Sequence, residues 1–350
     1  MRAEISDRIC SAHAARAHLR IRGGGSKDWY GGALAGEVLD ISRHSGIVNY
    51  EPGELVLTAK AGTPLTEIEA ALDQHGQMLA FEPPHFGTTA TLGGTLACGF
   101  SGARRPYAGS ARDMVLGIKL IDGQGRFLSF GGQVMKNVAG YDVSRLMVGA
   151  LGTLGVIMEA SLKVLPKPEM EQTLQFEMDE VRAVETMNRW AGRPMPISAS
   201  AWVSGALLIR LSGAETAVRA AHERLGGEMH EHGANFWWSA KEQTTAFFTA
   251  NSLPLWRLSV PSATPPLALP GKQTLAWGGA QRWLKSDMPA EALRRIVGAA
   301  GGHATLFRSE DKSVGVFHPL PEILMKYHKR LKTQFDPASI LNAGRLYAGF

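Results

Sequence analysis

Residues 81–113 read FEPPHFGTTATLGGTLACGFSGARRPYAGSARD, and residues 136–156 read KNVAGYDVSRLMVGALGTLGV, with two apolar strand-like runs between them. Glycines this dense, interleaved with small hydroxylated residues and bounded by strand patterns, bring backbone close to a large flat ligand. Gly93, Gly94, Gly99, Gly102 and Gly109 each remove a side chain where a planar ring could lie, and Ser101, Ser110 and Asp113 offer hydrogen bonds to polar edges. A long irregular loop packed on its own sheet is the alternative, but some thirty residues of loop inside a compact domain are uncommon without a function.

Working outward, an earlier stretch, Arg22-Gly23-Gly24-Gly25-Ser26-Lys27, has a related composition. Consecutive glycines permit positive φ and let several backbone N–H groups converge, an anion-binding nest suited to a pyrophosphate. A plain surface turn is the other reading of three glycines. The stretch is not the nicotinamide fingerprint, because Asp28 stands where the third glycine belongs, and no Walker-type phosphate loop is present. Two such loops suggest a grip on one dinucleotide, with a flavin the best candidate.

The 350 residues suit two domains, and 45% hydrophobic with 20% charged residues is a globular composition. Lys plus Arg (37) against Asp plus Glu (32) gives a net charge of +5, scattered along the chain, so nucleic acid is not an expected partner. No apolar run approaches a membrane span and the amino terminus lacks a secretory pattern, giving a cytoplasmic expectation. Two cysteines, Cys10 and Cys98, cannot hold an iron–sulfur cluster. Redox chemistry on this chain requires an organic cofactor.

Helical spacing predicts a first helix from Ile5 to Leu19, then a short strand at Leu19-Arg20-Ile21 entering the first glycine loop. Leu55 to Ala59 is a strand, and Thr63-Pro64 starts a helix buried through Leu65, Ile68 and Leu72 and ended by Gly76. Met114–Ile121 and Phe127–Phe130 form a hairpin, and alternation from Val156 to Val164 predicts a half-buried strand. Pro166-Lys167-Pro168 marks the domain boundary. The second half reads β-α-β-β-α-β, with strands at Thr173–Met178, Ile197–Val203 and Ala206–Leu211 and helices at Glu180–Trp190 and Ala214–Leu225, the order of a ferredoxin-like sheet. No internal sequence repeat is visible.

RGGGSK at 22–27, TLGGTLACGFSGARRPYAGSARDMVLG at 91–117, GALGTLGVI at 149–157 and FDPASILNAGRLY at 335–347 together resemble the vanillyl-alcohol oxidase (p-cresol methylhydroxylase) flavoprotein superfamily. Within it they are most similar to the smaller FAD-binding subunits of bacterial glycolate oxidases. The resemblance implies an α+β fold: a two-lobed p-cresol methylhydroxylase-type FAD-binding domain over 1–168, an α+β cap over 169–332, and a tail over 333–350 returning to the flavin. It implies noncovalent FAD, since Ser26 and Lys27 stand where covalent relatives carry histidine. Backbone at Gly23, Gly24, Gly25 and Ser26, flanked by Arg22 and Lys27, would hold the pyrophosphate. Thr91, Leu92, Gly93 and Gly94 would lie against the flavin, with Ser101 and Gly102 further along. Gly109 and Asp113 would support a second contact. Gly152, Gly155, Val156 and Ile157 would sit by the adenosine, and Asn342 would bring the tail back, with NAG in place of the usual NPG.

The implied activity is oxidation of glycolate, or a similar 2-hydroxy acid, to the oxo acid. Electrons would leave through an iron–sulfur subunit, beside a larger paralogous FAD subunit, in a complex that could sit peripherally on the inner membrane. A self-sufficient flavin oxidase of another alcohol or hydroxy acid is the alternative, and a scaffold without flavin a third reading. No metal is expected: the HAGDGNLH-type motif of hydroxy-acid relatives is missing, and His230-Glu231-His232 has the wrong spacing for a helical pair. His303, Arg308 and His318 are candidates for proton and carboxylate chemistry that nothing in the sequence assigns.

Overall fold

The structure, a computed structural model, describes residues 1–132, 142–250 and 252–350, so residues 136–141 of the KNVAGY block lie outside the described residues. The chain divides into two compact units: residues 1–100, 110–166 and 319–350 form one, residues 101–109 and 167–318 the other. No described helix is long and apolar enough to cross a membrane.

The first unit is built on a five-stranded antiparallel sheet in the order Ile47–Glu51, Val56–Lys60, Val156–Lys163, Val115–Ile121, Phe127–Gly131. Val156–Lys163 is its central strand, and Val156, Ile157 and Met158 are buried in succession. Its expected half-buried alternation is therefore corrected: a strand flanked on both sides and covered on both faces needs apolar or paired residues at every position. Ser161 meets that need by hydrogen-bonding Thr58 across the ladder at 2.8 Å, and Glu159 by pairing with Lys119 at 2.6 Å. Ile5, Ile9 and Ala12 form the buried stripe of the first helix, which ends at Ala15.

A second, two-stranded sheet positions the site. Leu19–Arg22 pairs in parallel with Glu37–Asp40, and the tail adds a bridge from Leu341 to Leu19. The helix Glu322–Phe335, expected within the cap segment, belongs to this unit. A buried ion pair fixes it there: the Lys332 ammonium donates to Asp336 at 2.8 Å and to the carbonyls of Thr153 and Leu341 at 2.7 and 2.9 Å.

The second unit carries an eight-stranded antiparallel sheet among the described residues. Four strands, Met170–Glu177, Ile197–Val203, Ala206–Gly213 and Glu228–Met229, stand in the spatial order 4-1-3-2 with helices Glu180–Ala191 and Glu215–Leu225, the ferredoxin-like arrangement. Four more, Leu255–Ser259, Lys272–Ala276, Gln281–Lys285 and His303–Arg308, repeat the 4-1-3-2 order with helix Ala290–Ala299 before the last. The halves join edge to edge, Ala201 to Val203 on Thr274 to Ala276. This structural repeat has no echo in the sequence, because its first crossover is a loop, 260–271, where prolines at 261, 265, 266 and 270 forbid a helix. Fully buried Arg282 holds that loop through the carbonyls of Thr264 and Pro265, and donates as well to Gly279 O beside its own strand.

Residues 101–109, read in the sequence as part of one continuous ligand loop, join this second unit. The indole of Trp277 donates to Gly102 O at 2.9 Å and lies 4.4 Å from the Arg105 guanidinium, and Arg104 pairs with Glu171.

Candidate cofactor site

The strand Leu19–Arg22 delivers the chain into the nest, and the nest's backbone is polarised. Gly24 O accepts from the Thr89 hydroxyl at 2.7 Å, Gly25 O from Asp28 N at 3.1 Å, and Ser26 O from the Trp29 indole at 3.0 Å. Among the described residues, none of the N–H groups of Gly23, Gly24, Gly25 and Ser26 donates to a protein acceptor. Carbonyls satisfied and amides left over make an anion site. Behind it, Trp29, Tyr30, Phe86 and Phe100 pack edge to face and stacked at 4.6–6.5 Å between centroids.

The charges agree in sign. Arg22, Lys27 and Arg345 line one cleft with a single carboxylate, Asp28, which Arg20 holds at 2.6 Å and Arg22 at 3.6 Å. Lys27 is buried, its ammonium on His85 O at 3.1 Å and Ser26 Oγ at 3.3 Å. Arg345 is buried too, and burial lowers its pKa, opposed by Cys98 and Asp28.

The two glycine-rich loops meet here. A Cβ on Gly23 would lie 2.4 Å from Thr91 Oγ1, and a Cβ on Gly24 only 1.4 Å from Thr89 O. Segments more than sixty residues apart thus share one wall of a cleft of about 70 Å³ that opens to solvent. Arg22, Gly23, Gly24, Gly25, Ser26, Lys27, Thr91, Gly94 and Asn342 line it, as do Ile21, Asp28, Leu34, Ala97, Cys98, Leu151 and Arg345, which sequence reasoning did not place in the site. Arg345 sits three residues beyond Asn342 in the same tail motif, a signal that was legible; Leu34 and Leu151 carry none.

Other expected contacts take local roles. Leu92 and Gly93 belong to a short helix, Leu92–Cys98, capped by the Thr91 hydroxyl, and Gly93 N donates to Ala61 O at 2.7 Å, so this glycine serves packing. Gly109 has φ +99°, and Asp113 forms a capping box with Ser110 at 2.7 and 2.8 Å. Gly155 packs on Leu120, and Val156 and Ile157 are core of the central strand. Gly152 (φ +72°) faces the Asn342 amide, so a side chain there would strike it. Asn342 itself accepts from Ile21 N at 2.8 Å and donates to Leu151 O at 2.6 Å, tying tail, first strand and the 151–152 turn together. Ser101 and Gly102 lie in the second unit, as do His303, Arg308 and His318, and His318 Nδ1 accepts from Ala304 N at 3.3 Å. Among the described residues no group of three His, Cys, Asp or Glu could hold a metal ion.

Cys98 reaches the cleft, and burial pushes its pKa up to about 11, against the pull of Lys27 and Arg345. It stays a thiol near neutrality and is a poor nucleophile. With Cys10 exposed and Cys98 only partly so, the apoprotein at pH 8 should show one fast-reacting thiol with a disulfide reagent; two fast thiols would contradict the raised Cys98 pKa. Cys98→Ala should keep the cofactor.

The orphan amides, the excess of cations and the paired loops fit the diphosphate of a dinucleotide. Comparison with known proteins agrees. Residues 2–131 match the family model described as FAD binding domain. The chain is 50% identical over 346 residues to glycolate oxidase subunit GlcE of Escherichia coli, covering 98% of this chain and 97% of the relative. It is 34% identical over 169 residues to glycolate oxidase subunit GlcD of Bacillus subtilis, covering 47% of this chain and 35% of that one. In fold it matches p-cresol methylhydroxylase with a TM-score of 0.70 at 15% identity, over 99% of this chain and 87% of the other. An amide nest facing a cationic cleft, and half of all residues shared with GlcE along nearly the whole length, assign this chain to the GlcE family of glycolate oxidase subunits, flavoproteins of the p-cresol methylhydroxylase fold.

Proposed function

We propose that this chain binds FAD noncovalently in the cleft and works as the smaller flavin subunit of a complex that oxidises glycolate, or a closely similar 2-hydroxy acid, to the oxo acid. The observation that carries the reading is the row of four unpartnered amides at Gly23–Ser26 beside Thr91 and Gly94. The amides would hold the pyrophosphate, with Arg22, Lys27 and Arg345 balancing its charge, and Leu34, Ala97 and Leu151 would shield the cofactor from water. Bound flavin supplies the capacity to take two electrons and release them singly. Two cysteines cannot bind an iron–sulfur cluster, so outgoing electrons need a separate cysteine-rich subunit. The relative named GlcD supports a second, larger flavin subunit in the same assembly.

The purified chain should be yellow, absorbing near ~450 nm, and should release its flavin into the supernatant on acid precipitation, as noncovalent cofactors do. Flavin that stays with the precipitate contradicts the noncovalent reading, and a chain that refuses FAD contradicts the site. Glycolate-dependent dye reduction should require partner subunits; turnover by the chain alone would make it self-sufficient.

A further inference from the structure

We infer that Arg345, contributed by the far end of the chain, is a positioning residue for the phosphate nest, fixing the nest's backbone and supplying a buried positive charge that no carboxylate contacts among the described residues. The inference rests on the cofactor reading above.

The geometry is specific. The guanidinium spans alternate carbonyls of the segment just after the nest: Nη1 donates to Asp28 O at 3.3 Å and Gly32 O at 2.5 Å, and Nη2 donates to Tyr30 O. The contact is mutual, since Gly32 N donates back to Arg345 O at 2.9 Å. It is also tight: a Cβ on Gly32 would come within 2.2 Å of Gly344 O, and one on Gly31 within 2.9 Å of Arg345 O. Segment 28–32 is in turn locked to the nest, through Asp28 N on Gly25 O at 3.1 Å and Tyr30 N on Lys27 O at 3.0 Å. Holding residues 28, 30 and 32 therefore holds Gly25 and Lys27, and with them the direction of the nest amides. The planar fork of arginine suits this role, because one rigid group reaches three acceptors that an ammonium could not span.

The charge carries the second half. Every hydrogen bond the guanidinium makes among the described residues ends on a neutral carbonyl, while the nearby carboxylate, Asp28, is committed to Arg20 and Arg22. A buried cation without a contacting anion is costly, and the residue that carries this one lines the cleft. The three carbonyls and the more distant Asp28 offset part of that cost, and an arriving diphosphate would offset more of it.

The test uses the full-length apoprotein, titrated with FAD by flavin fluorescence and, separately, with ADP, which carries the diphosphate end without the flavin. Arg345→Met should weaken FAD and ADP alike by at least about 30-fold, and the FAD-induced rise in thermal midpoint at a fixed FAD concentration should shrink with it. Arg345→Lys keeps the charge and loses the fork, so it should fall between, about tenfold weaker than wild type; it also serves if the methionine variant does not fold. A role confined to stability would lower the midpoints of apo and loaded protein equally and leave both affinities unchanged, which would overturn the inference. Loss of FAD binding with ADP binding retained would overturn it too, by putting the effect at the flavin end. Failure of wild type to bind FAD would instead sink the functional reading itself.

Discussion

Gly24→Val is expected to give a colourless protein whose affinity for FAD has fallen by about 100-fold or more. The cause is not a side chain filling the space meant for phosphate, which an anion-binding nest alone would lead one to expect. A Cβ at residue 24 would stand 1.4 Å from Thr89 O and 3.0 Å from Thr89 Cβ, inside the junction of the two loops. Backbone cannot yield that much without separating the segments, so the Thr89 hydroxyl bond to Gly24 O breaks and the amides of Gly23 to Ser26 turn away. Losing two hydrogen bonds to a charged group removes about 3–6 kcal/mol at ~1.5–3 kcal/mol each. At ~1.4 kcal/mol per decade that is two decades or more in affinity. Gly24→Ala already introduces the offending atom and should behave similarly. Gly53→Ala, where a Cβ meets nothing within 4 Å, is the matched control and should keep its flavin. Wild-type flavin content in the Gly24 variants, measured by absorbance after desalting, would remove the nest from the site.

That difference between the expected and observed cause shows what a sequence can carry. Glycine runs announce close backbone approach, and they did so correctly at residues 22–27 and 91–94, but they do not say what approaches. At Gly24 it is another loop, at Gly93 it is the Ala61 Cβ at 2.8 Å, and at Gly152 it is the Asn342 amide. Local order was legible for similar reasons: the 3.6-residue stripe of Ile5 and Ile9, the hairpin at 115–131 and the first βαββαβ all follow from short-range patterns. The doubled cap sheet was not, because a strand order is set by pairing over long separations, and the second half dropped one of its helices. The Thr63 cap also shifted. The helix begins at Leu65, and the Thr63 hydroxyl donates to Lys60 O at 2.7 Å and accepts from Gly46 N at 2.9 Å, closing a turn instead of a helix end. Residues 101–109 failed differently: a stretch contiguous in sequence with a ligand loop belongs to the second unit, and only tertiary contacts to Trp277 and Glu171 reveal where it goes.

The least legible feature has the largest predicted effect on stability. Lys332 sits in a helix whose sequence, EILMKYHKRLKTQF, reads as a solvated basic face, and its neighbours Lys326, Lys329 and Arg330 are indeed exposed. Lys332 alone turns inward, 4% exposed against an Asp336 side chain that is fully buried. All three ammonium donors are used, on Asp336, Thr153 O and Leu341 O. Asp336 accepts in turn from Ile340 N at 3.1 Å and Leu341 N at 2.8 Å, which folds the tail back toward Leu19 and carries Asn342 and Arg345 to the cleft. Burial lowers the Lys332 pKa and Asp336 opposes that shift, so the charged form depends on its partner. Lys332→Met leaves the carboxylate buried without its counter-ion, and breaking one side of such a pair costs about 3–5 kcal/mol. For a unit of this size the midpoint of the cofactor-bearing unit should drop on the order of 10 °C by calorimetry. FAD should dissociate with it, since the tail no longer reaches the cleft. Removing both charges in Lys332→Met with Asp336→Ala should cost less than the two single changes added together, a coupling of about 0.5–3 kcal/mol for residues in direct contact. Strict additivity would mean that the pair is bystander chemistry and that the tail is held by its apolar contacts, Ile340 and Leu341 above all.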